Sequence, residues 1–371
     1  MIRRLGFDRF SALYLWALFM LYFGITKHAT FFSSTTFKLV LQENVIVGVL
    51  ALAFLVPLAT GTYDLAIGAQ MSLSLVISST LAQHHTVPNL LGMVIALVAC
   101  GVAGAVSGFF VVKLNVNSFI ATLGMSQVIT AVVYHTSFQS INSPFTNSFE
   151  SIGAGNFLGV QRYVWYLLVL AIILWFVLEH TPAGRFMFAT GGNPEAARLA
   201  GVQTNRLVWS SLIVSGVIAG FAGVVYSWKV GDYDTTVGPG YLFPAVAAVF
   251  FGASQLKGRA NVWGTMIALY ALAWGIEGLQ LTFINSNWVQ PAFEGVALLL
   301  AVALASYQGV IRVRRAKPNA TPDAPGSGGA TAEAGGGGPP VVTSVASSAP
   351  GSDAEGHTGP LAVTHGADES A

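Results

Sequence analysis

T-G-G-N-P-E-A-A-R-L-A-G-V-Q-T-N-R, residues Thr190–Arg206, is a polar island between two long apolar runs, Tyr163–Leu178 and Leu207–Tyr226. Its chemistry spells a short helix. Asn193 can cap the first free N–H groups, Pro194 suits the first helical position, and Glu195 suits the positive end of the helix dipole. Ala196, Ala197, Arg198 and Leu199 favour helix, Gly201 is a natural stop, and Gly191-Gly192 read as a flexible approach. The flanking runs are those of a membrane protein, so one small, capped helix stands outside the bilayer. By pattern alone it is equally well an ordinary surface loop.

The composition agrees with a lipid solvent. The chain has 371 residues, 54% hydrophobic and 9% charged, where a soluble domain carries about a quarter charged residues. The net charge of +1 and the absence of a basic aromatic cluster give no reason to expect nucleic acid as a partner. The single cysteine, Cys100, excludes an intramolecular disulfide and a multi-cysteine metal site. No small-x-small cleavage site follows the basic N-terminus, so Ser11–Thr26 reads as a retained first span.

Ten candidate spans follow in order: Phe10–Thr26, Val40–Thr60, Leu65–Leu81, Leu90–Val112, Phe119–Thr136, Tyr163–Leu178, Leu207–Trp228, Tyr241–Phe251, Val262–Leu281 and Val289–Tyr307. Crossing the apolar layer takes roughly 20 residues. The third is polar at its start and the eighth is short, so both are expected to be broken or partly sunk helices, covered by protein or lining a cavity. With the N-terminus in the cytoplasm, Lys27, Lys38, Arg162 and Lys229 lie outside, and the remaining 13 of the 17 Lys and Arg lie inside. That asymmetry places both termini and the capped helix in the cytoplasm.

The run N-L-L-G-M-V-I-A-L-V-A from Asn89 resembles N-V-W-G-T-M-I-A-L-Y-A from Asn261, an offset of 172 residues. The offset spans five helices, so the halves would be inverted copies with a pathway between them. The expected fold is therefore an all-α integral membrane protein of about ten helices with an inverted five-helix repeat over residues 1–317. Residues 318–371 contain no Phe, Trp or Tyr. Such a segment cannot offset its ordering entropy, and it is expected to be a disordered cytoplasmic tail.

Motifs for direct phosphate chemistry and hydrolysis are missing: there is no G-x-x-x-x-G-K-[ST], H-E-x-x-H or G-x-S-x-G. His84-His85 fall in an outer loop and read as solvated. Four acids stand in or beside apolar segments, namely Glu43, Asp64, Glu277 and Glu294, and acids in a membrane are functional candidates by default. Asp64 can cap the third span or contact substrate. Glu43 and Glu294 lie near span ends, and Glu277 can face a cavity or a packing partner. Asn115, Asn117, Ser118 and Thr122 beside Phe119 form a polar mouth on the fifth span, suited to a neutral polyol and equally to a plain helix-end loop. Gly104-x-x-x-Gly108 and Gly216-x-x-x-Gly220 allow helices to approach closely, within one subunit or between two.

Three stretches carry a family likeness: G-T-Y-D-L-A-I-G-A (Gly61–Ala69), G-G-N-P-E-A-A-R-L-A-G-V (Gly191–Val202) and the Gly-rich run Val237–Thr265. Together they resemble the ribose-type permeases of bacterial ATP-binding-cassette sugar importers. The resemblance implies an inner-membrane permease for a monosaccharide or polyol that hydrolyses nothing itself. It implies a second permease copy, a separate ATPase subunit holding ATP and Mg, and a periplasmic or lipid-anchored sugar-binding protein; this chain needs no cofactor. It also implies that a loop at about 181–206 docks on the ATPase through Gly191, Gly192, Asn193, Glu195, Ala196, Ala197, Arg198 and Gly201. The translocation path is expected to involve Asp64, Asn115, Asn117, Phe119 and Glu277. The competing reading is an ion-coupled secondary transporter with its proton on Asp64, Glu277 or Glu294.

Overall fold

The computed structural model describes residues 11–303, apart from short stretches at 84–86, 137–140, 143–144, 146, 231, 234–236, 256–258, 284–285, 287 and 301–302. His84-His85 and the expected tail at 318–371 lie outside the described residues. The helices are α1 (Ser11–Thr26), α2 (His28–Phe31), α3 (Ser34–Glu43), α4 (Val45–Ala59), α5 (Ile67–Gln83), α6 (Asn89–Lys113) and α7 (Ser118–Thr136). They continue as α8 (Asn147–Ala154), α9 (Arg162–His180), α10 (Pro182–Gly192), α11 (Pro194–Leu199), α12 (Thr204–Val230), α13 (Val237–Gly240), α14 (Leu242–Gln255) and α15 (Val262–Thr282). A last helix, α16, covers Val289–Leu300. Two tiny antiparallel ribbons complete the described residues, β1 (Ile141–Asn142) with β4 (Asp232–Tyr233) and β2 (Asn156–Phe157) with β3 (Val160–Gln161).

Among the described residues, six helical stretches are long and apolar enough to cross a membrane: Ser34–Ala59, α6, α7, α9, α12 and α15. The other four expected spans fall on the shorter helices α1, α5, α13–α14 and α16. The two spans expected to be broken are continuous helices over most of their length, with the irregular backbone at their starts. A non-helical stretch, Gly61–Ala66, precedes α5, and Tyr241 interrupts the passage from α13 to α14.

The middle of the bundle is α4, buried along almost its whole length. Around it, α12 packs against α4, α5 and α6. Backbone meets backbone at the glycines. A Cβ on Gly104 of α6 would sit 2.3 Å from the Leu212 carbonyl oxygen, and one on Gly216 of α12 would sit 2.4 Å from that of Cys100. Gly223 of α12 has the same relation to Met71 of α5, at 2.4 Å. The two small-residue motifs thus face each other within one chain. In lipid, apolar burial between helices gains little, so dispersion at such close crossings supplies much of the association. The opposite faces of α6 and α9 carry exposed Val94, Val98, Val102, Val169, Ile172 and Phe176, as a lipid-facing layer requires.

These contacts predict a contrast between glycines. Gly216→Val overfills the α6–α12 crossing and should destabilise the bundle by about 1–3 kcal/mol. Gly124→Ala, with nothing within 4 Å of the new methyl, should not. Thermal unfolding of the detergent-purified protein checks both; an unchanged melting point for Gly216→Val would contradict the backbone contact.

Candidate functional site

The polar island forms a helix–turn–helix knob. Thr181 caps α10, its side chain accepting from the Gly184 N–H, with Pro182 in the first turn. Gly191 and Gly192 are the last residues of this helix, not the flexible approach the sequence suggested. The chain then turns at Asn193, whose side-chain oxygen accepts from the Ala196 N–H at 3.0 Å and starts α11 with Pro194 in its first turn. Glu195 lies in the first turn and Arg198 in the last, each at the end the helix dipole favours. Gly201 closes the helix in the left-handed region, at φ +85. Its N–H donates to the Arg198 carbonyl and the Val202 N–H to the Ala197 carbonyl, the two bonds of a Schellman end.

Of the six residues of α11 only Ala197 is buried. Leu199 is 91% exposed, the most exposed large apolar side chain among the described residues. Beside it, Phe186, Ala200, Val202, Gln203, Arg206 and Leu207 line a groove of about 360 Å³. The sequence reading took Leu199 only as a helix former. A leucine inside the polar island Thr190–Arg206 was the signal available for it. Arg259, from the loop before α15, holds the knob's base: it donates to Glu179 at 2.8 Å and lies over the Phe188 ring at 4.0 Å.

Below the knob lies the turn between α4 and α5. Gly61 takes φ +79, and a Cβ on Gly191 would meet Ala59 O at 2.6 Å and Gly61 N at 2.9 Å. Asp64 is fully buried, and one of its oxygens accepts from the Ala66 N–H at 3.0 Å, just ahead of α5. On the other flank of the turn, Ser118 Oγ accepts from the Tyr63 N–H at 3.2 Å and Thr122 Oγ1 from the Leu65 N–H at 3.1 Å. Asn117 turns its side chain to the Phe119 N–H at 2.9 Å, and Asn115, at φ +52, is exposed with Phe119.

Glu277 belongs to a different place. It lines a cavity of about 440 Å³ at the Glu43 end of α4, the end opposite the turn. Glu43, Asn44, Tyr241, Gln280, Gln290 and Glu294 line it as well, and Lys229 pairs with Glu43 at its edge. Gln280 donates to Gln290, which donates to Glu294. The five expected path residues therefore divide between the two ends of α4. Separate helices brought together Glu43, Glu277 and Glu294, which no sequence spacing could reveal. No group of three His, Cys, Asp or Glu side chains able to hold a metal occurs among the described residues.

Residues 38–303 match the family model described as branched-chain amino acid transport system / permease component. The chain belongs to this permease family. It is 31% identical over 283 residues to the ribose import permease protein RbsC of Escherichia coli (strain K12), covering 75% of this chain and 87% of that protein. The fructose import permease protein FrcC of Rhizobium meliloti is 29% identical over 305 residues, 80% of this chain and 84% of its own. The galactose/methyl galactoside import permease protein MglC of Haemophilus influenzae is 28% identical over 315 residues, 80% and 94%. No solved structure matches significantly. The resemblance read from the three stretches is thus borne out, and the permease is a multi-pass membrane protein.

The caps of α11 make a local prediction. Asn193→Ala should loosen this helix by about 1 kcal/mol, and Asn193→Asp should not. Amide hydrogen exchange across 194–199 would rise several-fold in the first variant alone. Equal rates in all three proteins would remove the cap from the account.

Proposed function

We propose that this permease is the membrane subunit of an ATP-binding-cassette importer that moves a monosaccharide or related polyol into the cytoplasm. The reading rests on one observation: the chain aligns over most of its length with proteins named as ribose, fructose and galactose import permeases. In this reading two permease copies stand side by side, each built of ten spans in two inverted halves with both termini cytoplasmic. Powering them is a separate ATPase subunit that binds ATP and Mg, and a periplasmic or lipid-anchored protein delivers the sugar.

The knob at 181–206 is the ATPase-docking loop. A short helix capped at both ends keeps its shape under load, so it moves as one body when the ATPase dimer closes. Leu199 offers an apolar anchor of the kind that dominates small interfaces, and Glu195 and Arg198 frame it. The path runs from the cavity around Glu277 to the mouth formed by Asn115, Asn117 and Phe119, with Asp64 between α4 and α5. Amides, hydroxyls and carboxylates suit a polyol's hydroxyl groups without holding it tightly. Weak binding here favours release, and affinity belongs to the delivery protein.

Two measurements test this in proteoliposomes. Uptake of labelled ribose, fructose, arabinose and galactose should require ATP, the ATPase and the binding protein together. Uptake by this chain alone, abolished by an uncoupler, would establish an ion-coupled carrier instead. Within the full complex, Leu199→Asp should weaken ATPase association by about tenfold, and Arg198→Trp should leave hydrolysis running while uptake falls. Wild-type association and uptake in both variants would remove the knob from its docking role.

A further inference from the structure

Both arms of the knob grip one buried turn. On the α10 side, Gly191 lies so close to Ala59–Gly61 that a Cβ would come within 2.6 Å of a carbonyl oxygen and 3.1 Å of Thr60 C. Gly61 answers in kind, its own Cβ position 3.1 Å from Gly191 Cα. No flexible side chain stands between these two pieces of backbone to absorb a movement. On the α12 side, the Ser211 and Thr60 hydroxyls stand 3.3 Å apart, and Ser215 faces the Asp64 carboxyl. Since α10 enters the knob and α12 leaves it, a displacement of α11 reaches the turn from two sides.

The far side of the turn is tied to α7. The N–H groups of Tyr63 and Leu65 donate to Ser118 and Thr122, and Thr122 is fully buried. If the turn shifts and α7 does not follow, two backbone donors lose their partners, Leu65's in a dry site, which is costly. The start of α7 therefore follows. Behind the turn, the Asp64 carboxyl is buried beside the side chains of Ser215 and Gln70, with Ser74 buried one turn further along α5. Gln70 and Ser74 lie one helical turn apart on α5, across from Gly216 and Gly223 of α12. This buried polar cluster ties the turn to α5 and α12, so a displacement of the turn is felt by both helices.

We propose that the α4–α5 turn, Thr60–Ala66, is the relay through which the docking knob moves the N-terminal end of α7, with Gly191 as the contact that drives it and Thr122 as the contact that delivers it. Both are positioning residues: neither need touch ATP or sugar. The relay rests on the reading of the knob as the ATPase-docking loop. It adds a route that the docking role alone does not contain.

The test compares neighbouring glycines in the reconstituted complex. Gly191→Ala forces a methyl into the turn, whereas Gly192→Ala has nothing within 4 Å. Because both glycines belong to the docking loop, ATPase association and hydrolysis are measured in each variant and uptake is expressed per ATP hydrolysed, which separates coupling from docking. Sugar transported per ATP should fall about tenfold in Gly191→Ala, within the usual range of coupling between sites, and stay unchanged in Gly192→Ala. Thr122→Val should repeat the loss and Thr122→Ser should restore coupling, which a purely structural role for that side chain would not separate from stability. Wild-type coupling in Gly191→Ala, or a parallel fall of hydrolysis and uptake, would overturn the relay. Absence of ATP-driven uptake in the wild-type complex would overturn the importer reading itself, so the two failures are distinct.

Discussion

Backbone-to-backbone contact along α12 is the constraint on which the rest of the bundle depends. Gly216 against Cys100, Gly104 against Leu212 and Gly223 against Met71 fix α12 to α5 and α6 at distances no larger residue permits. Water drives apolar helices together in a soluble protein, but lipid tails are as apolar as the side chains they would replace. Packing must then come from surface fit, and glycine gives the closest fit. The same contacts set the mechanical character of the bundle. Long side chains in a crossing could change rotamer and absorb a push, whereas apposed carbonyls and Cα atoms cannot. Helix α12 therefore moves with its neighbours, and it is also the helix that carries the knob.

A six-residue helix has no stability of its own in water, because nucleation consumes most of what so few hydrogen bonds return. What holds α11 is its ends. Asn193 satisfies a free donor at the start, Gly201 and Val202 close the carbonyls at the finish, and Ala197 alone buries a side chain. Stability drawn from the ends leaves the outer surface free, which is why Leu199 can stand in solvent. The cost is dependence on α10 and α12, whose ends determine where α11 sits. Arg259 reinforces that base by clamping Glu179 and Phe188 together.

Features carried by neighbouring residues were legible in the sequence. The Asn193 cap, the Gly201 stop, the polar start of the third span and the small-residue motifs all depend on three or four adjacent positions. Contacts across long separations were not. Helix α10 was hidden because Gly191-Gly192 look like a linker, and only the approach of Ala59–Gly61 explains why glycine is needed at Gly191. Asp64 reads in the sequence as a helix cap or a substrate contact; in the structure its carboxyl accepts from Ala66 just ahead of α5, and its complete burial beside Ser215 needed the packing of α12. The expected path residues were chosen for their chemistry one at a time. Their division between the two ends of α4 follows from the topology, to which composition and periodicity are blind.

That division has a mechanical consequence. Helix α4 is buried from Val45 to Ala59 and joins the relay turn at one end to the Glu43–Asn44 side of the cavity at the other. Fifteen residues of helix make a strut of about 22 Å, at roughly 1.5 Å per residue. A buried strut with packed neighbours tilts more readily than it compresses, since compression would break its own hydrogen bonds. Under the importer reading and the proposed relay, a displacement entering at Thr60–Gly61 would appear with opposite sense at the Val45 end of α4, next to Asn44 in the cavity wall, opening one end as the other closes. Alternating access then needs no separate signal for each gate. It follows from a single rigid helix pivoting where α12 presses against it, with Lys229 of that same α12 paired to Glu43 at the cavity's rim.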